Sequence, residues 1–190
     1  MFRTRTVEVS NVYAHSPIPI LESPHHEWSR FCNRSGIPYN TQNTAGMFYY
    51  NMPDGFPQYL IVVNSTLANY QKIAVAWHEM GHYQCYINKC QCFEASNLKN
   101  GYSELHAIKY CIEKCIEHSQ LGSLFYTLRC VCAGLISTSK AHKFGSEKIV
   151  LDSIWETATS KVGNELREWV LARPKIHQYM LQQDVQPFLQ

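Results

Sequence analysis

Residues 67–86 read LANYQKIAVAWHEMGHYQCY, and His78-Glu79-Met80-Gly81-His82 at the centre of this stretch decides how the rest is read. Residues four apart on an α-helix lie on one face, so His78 and His82 can hold one metal ion together. Glu79 sits one position round from His78, where its carboxylate reaches a metal-bound water without itself binding the metal. Water on zinc loses a proton near pH ~7 and becomes a usable nucleophile. The run Ile73-Ala74-Val75-Ala76-Trp77 before the motif is apolar on every side, which predicts a buried helix. Polar side chains entering an apolar region are costly when unpaired, and a metal ion removes that cost. Two imidazoles beside a carboxylate base therefore read as a hydrolytic zinc site.

Composition narrows what surrounds this helix. A chain of 190 residues suits one domain with a real core, and a formal net charge of +2 with no long Lys/Arg run points away from nucleic acid. The most apolar window, Leu124 to Ile136, is broken by Arg129, so no membrane span is expected. Residues 1–8 lack the apolar core of a signal peptide, and a cytoplasmic location is the expectation. In that compartment the eight cysteines stay reduced, and Cys32, Cys111, Cys115 and Cys130 read as small buried hydrophobes. Cys85, Cys90 and Cys92 form a tighter group. Their Cys-x-Cys spacing, repeated at Cys130 and Cys132, can chelate a soft metal but is not the C-x-x-C of common structural zinc sites. A second metal, a disulfide and free thiols all stay open for them.

Taken in order, Val7 to Tyr13 alternates weakly and suggests a first strand. Three prolines between Ser16 and Pro24 suggest a loop, followed by a short helix over Trp28 to Cys32 and more loop from Asn33 to Thr44. His25 and His26 read as solvated or capping residues. Met47 to Tyr50 and Gln58 to Val63 are β-prone and flank a Pro/Asp-Gly turn, which predicts a hairpin. Asn64-Ser65-Thr66 then suits the start of the metal helix. A sheet edge beside that helix can bind an extended polypeptide through its backbone.

The third metal ligand is sought on a later helix. Between Ser103 and Ile116, Glu104, Ala107, Ile108, Cys111 and Cys115 share one face, apolar except for its carboxylate. Glu104 is the candidate; Glu94 in a loop, and Glu113 and His106 on other faces, are less suited. Tyr102, Tyr110 and His118 are candidates to steady a developing oxyanion, and spacing alone does not choose among them. Beyond this, Leu121, Leu124, Phe125, Leu128, Cys132 and Leu135 recur at helical spacing, as do residues from Val150 to Val170, with Ser146 as cap and Pro174 as stop. His142 and His177 read as ordinary surface residues.

The hairpin, the helix with His78-Glu79-Met80-Gly81-His82, and the later helix with Glu104-Leu105-His106-Ala107 resemble the glutamate-zincin metallopeptidases. They are most similar to the small ImmA/IrrE-like branch, whose second helix carries Glu-x-x-Ala. The resemblance covers residues 46–116. It implies an α+β, zincin-like fold in which a small sheet packs on the metal helix. One domain would span 1–190: an N-terminal strand and loops (1–45), a metal-site core (46–118) and a helical C-terminal part (119–190). It further implies His78, His82 and Glu104 as Zn2+ ligands, Glu79 as base, and a protein or peptide substrate. Apart from the resemblance, Tyr102 is named from the three oxyanion candidates as the catalytic helper. A zinc-stabilised binding or regulatory module without peptidase activity is the competing expectation.

Overall fold

The computed structural model describes residues 9–37, 45–94, 102–124, 126–127, 165–166, 168–169 and 172–176. The run Tyr-Leu-Ile-Val-Val-Asn is near-continuously apolar because its strand, β3 (Tyr59–Asn64), is covered on both faces. Ile61 and Val63 point into the larger core, and Leu60 and Val62 point into a smaller one. β2 (Gly46–Tyr50) runs antiparallel to β3, with Phe48 opposite Ile61. Asn51 (φ 57) and Gly55 (φ 92) supply left-handed turns in the connection, so the expected hairpin forms.

The N-terminal third departs from the sequence expectation. Residues Val9–Ala14 form a helix (α1) where a strand is expected. Val9, Val12 and Tyr13 all pack on the larger core, and their i, i+3, i+4 spacing is helical, which weak local alternation had masked. The segment expected to be irregular contains a third strand, β1 (Ile20–Ser23), pairing in parallel with β3. Its prolines flank the strand at Pro19 and Pro24, and the Pro19 carbonyl accepts from Ile61 N–H (3.0 Å). The sheet order is β1-β3-β2, which leaves β2 at an edge.

Helix α2 (His25–Ser35) is longer than the Trp28–Cys32 expectation. It ends where Gly36 adopts φ 66 and Ile37 N–H returns to Cys32 O (3.0 Å). Trp28 and Cys32 cover the outer sheet face, and Trp28 Nε1–H donates to Tyr49 Oη (2.8 Å).

Helix α3 (Asn69–Ile87) covers the other face and is buried without a break from Ile73 to Gly81. It starts three residues later than the Asn64-Ser65-Thr66 reading. Asn64 Oδ1 instead accepts from Thr66 N–H and Oγ1–H, tightening the link, and Gln71 Oε1 takes the Ala68 N–H (2.9 Å). A 3-10 turn (Gln91–Phe93) precedes helix α4 (Tyr102–Glu117). The architecture is mixed, with helices on both faces of a three-stranded sheet, and no described helix is long and apolar enough to cross a membrane. The expected C-terminal helices lie mainly outside the described residues. Within them, Leu166 is buried and Pro174 opens a helical turn over 174–176.

Candidate metal centre

Helices α3 and α4 pack antiparallel: Gly81 meets Ala107, and Cys111 Sγ reaches Ala74 O (3.3 Å). A Cβ on Gly81 would stand 2.8 Å from Ala107 Cα and 3.1 Å from Ala107 O, so the helices approach closely here because both residues are small. This contact explains two letters of the motifs. Gly81 lies within the histidine motif, and Ala107 is three residues after Glu104.

One turn along, the same approach brings three side chains together. His78 Nε2 and His82 Nε2 are 3.1 Å apart; Glu104 Oε2 lies 3.1 Å from the first, and Glu104 Oε1 lies 3.3 Å from the second. The imidazole planes meet at 87°. Both rings face the carboxylate, so the short N···N contact is not a good hydrogen bond. A divalent ion explains it better. Tetrahedral zinc with nitrogen and oxygen donors at 2.0–2.1 Å separates neighbouring donors by roughly 3.3–3.4 Å. The residues fit such an ion.

The electrostatics of these side chains follow from burial and mutual proximity. Burial opposes the charged form of His78, but the hydrogen bond and charge of Glu104 outweigh it and carry the imidazole up to about 9. Burial would raise Glu104 in turn, yet the two histidines hold its carboxyl well below the usual carboxylate range. Glu79 is 5% exposed, and burial pushes its carboxyl up while the histidines and the Phe48 backbone N–H pull it partly back. Its Cγ also packs beside Gly46. Glu79 is thus held between the helix and the edge strand, separate from the three facing donors.

Comparison of the chain with protein-family models, curated proteins and solved structures returns no match. The geometry stands alone.

Tyr102 is not one of the three facing donors. It opens α4, packs on the larger core, and lies two residues from Glu104, about 200° round the helix. Tyr110 and His118 lie beside Trp77, at ring distances of 6.4 and 5.1 Å, and the Tyr110 Cβ also borders Gly81. His25 and His26 form the first turn of α2, away from the metal helix in sequence and element. Cys32, Cys111 and Cys115 are buried; Cys130 lies outside the described residues.

Sequence reasoning missed two participants. Phe93 meets His82 edge-on at 6.4 Å, and nothing local marks it. His106, set aside as facing elsewhere, has Nδ1 3.3 Å from Cys90 Sγ and 3.8 Å from Cys85 Sγ. It does turn away from the histidine pair, but toward the cysteine group. The described residues thus hold two clusters able to bind a metal ion: His78, His82 and Glu104, and Cys85, Cys90, Cys92 and His106.

Proposed function

We propose that the protein is a zinc-dependent peptidase acting on an extended polypeptide. The observation that carries this reading is the convergence of His78, His82 and Glu104 within 3.1–3.3 Å while buried Glu79 stays outside their ring. Three protein donors leave a position for a reactant, whereas a structural zinc site is closed by four. A purely structural site also has no use for a buried carboxylate beside it, and burying one is costly. These features favour catalysis over the zinc-stabilised binding module.

When bound, zinc supplies a Lewis acid that polarises a carbonyl and makes water more acidic. The protein supplies the rest. His78, His82 and Glu104 hold the ion. Glu79 takes a proton from the attacking water and returns it to the leaving amine, with the Phe48 N–H orienting its carboxylate. Edge strand β2 receives the substrate. Asn64 N–H donates to Ala45 O (2.8 Å), which sets the alternation along β2. With that register, the backbone groups of Gly46, Phe48 and Tyr50 turn away from β3 toward the open edge. A peptide laid there by strand addition would pass the carboxylate that Phe48 holds.

The test is Glu79→Gln in the full chain, assayed against a peptide library with metal content measured in parallel. Metal content should be unchanged and cleavage should fall by about 10²–10⁴-fold, the usual contribution of a general base. Undiminished cleavage by this variant would end the proposal.

A further inference from the structure

We infer that Cys85, Cys90, Cys92 and His106 form a second, closed zinc site that fastens the segment after α3 onto α4. Each residue offers one ligand atom, and the four atoms lie within 4.8 Å of one another. The shorter contacts match a real coordination sphere. Tetrahedral zinc with sulfur at ~2.3 Å and nitrogen at ~2.0–2.1 Å separates S···S by about 3.8 Å and S···N by about 3.6 Å. Cys90 Sγ and Cys85 Sγ stand 3.3 and 3.8 Å from His106 Nδ1.

The backbone is arranged to gather these sulfurs. Lys89 takes a left-handed conformation (φ 50) just after α3, and Cys90 N–H then returns to Cys85 O (2.9 Å). That turn folds Cys90 back against Cys85. Cys92 N–H points at Cys90 Sγ (3.5 Å), an orientation that favours a thiolate there. Only Cys92 is fully buried; Cys85 and Cys90 are half-buried, so the group is not simply apolar filling. A disulfide would use two sulfurs and leave the third beside an imidazole without a role.

The four donors are distinct from the first set, but two of them lie on its helices and the other two in the 3-10 segment between. Cys85 follows His82 by three residues on α3, and His106 follows Glu104 by two on α4. An ion at the cysteine cluster would hold together the ends of the two helices that present the first set. It would also position Phe93, the neighbour of Cys92, against His82.

Cobalt reports thiolate ligation through its sulfur-to-metal charge-transfer absorption, so Co2+ is the probe. The reduced, metal-free full chain carrying His78→Ala and His82→Ala lacks the first site whether or not it is catalytic. It should still take up one equivalent of Co2+ with strong charge-transfer absorption, and adding Cys90→Ser or Cys92→Ser should abolish that absorption. In the unsubstituted chain, stoichiometric Zn2+ should slow alkylation of Cys85, Cys90 and Cys92 by about tenfold or more, because a ligated thiolate is poorly available. This second measurement stands even where a serine variant fails to fold. Co2+ uptake without charge transfer, no uptake, or equal alkylation with and without Zn2+ would each overturn the inference. Loss of peptidase activity moves none of these readouts.

Discussion

Gln120 lies 43 residues from Trp77, yet its Oε1 accepts the indole N–H inside the core. Trp77 is 2% exposed and directly precedes His78, and the His118 ring stacks on it at 16°. A buried indole N–H without an acceptor keeps its full desolvation cost. Gln120→Leu should therefore destabilise the protein by about 1–3 kcal/mol in urea unfolding, despite adding apolar volume. Stability equal to the parent would mean that water or another group serves Trp77. Glu22 and Lys72 make the contrasting case. Their ion pair joins β1 to α3, and both side chains keep some exposure. Glu22→Gln should cost no more than about 1 kcal/mol in the same measurement.

Among the elements, the α3–α4 crossing matters most. Replacing Gly81 by Ala would gain up to about 1 kcal/mol of helix propensity in an isolated helix. Here the new methyl would meet Ala107 Cα and O, which are backbone and cannot rotate away. Gly81→Ala is expected to destabilise the protein by about 1–3 kcal/mol and to weaken metal binding, since forcing the helices apart moves Glu104 from the histidines. Adding Ala107→Gly should not rescue it, because the clash is with atoms that glycine keeps. Calorimetry and metal titration of the single and double variants check this. A stabilised Gly81→Ala protein would show that the helices part freely.

For the molecule as a whole, metal bound at either cluster would be linked to folding. The two candidate centres draw their ligands from α3, the 3-10 turn and α4, so an ion bound to either exists only when those elements are docked. A ligand that binds only the folded state stabilises it by RT ln(1 + [L]/Kd), about 4 kcal/mol at a thousandfold excess over Kd. Chelation should lower Tm by several degrees, and added Zn2+ should restore it. A Tm indifferent to chelator would argue against metal at either cluster.

Much of this core is legible locally. The helical period places His78 and His82 on one face, the apolar run before them marks a buried helix, and the β-prone runs around Asp54-Gly55 announce the hairpin. The single carboxylate on the apolar stripe of α4 selects Glu104 over Glu94 and Glu113 for the same reason. Each of these depends on residues a few positions apart, where backbone geometry alone sets the spacing. What depends on long-range contact is not written in such patterns. Val9–Ala14 is helical because Val12 finds the core, and Ile20–Ser23 is a strand because β3 offers it an edge. His106 joins Cys85 and Cys90 only because a Gly–Ala contact lets two helices dock closely. The sequence by itself determined which side chains each helix presents. Tertiary packing alone decided which of them meet, since contact between distant segments depends on fit across an interface that no local period encodes.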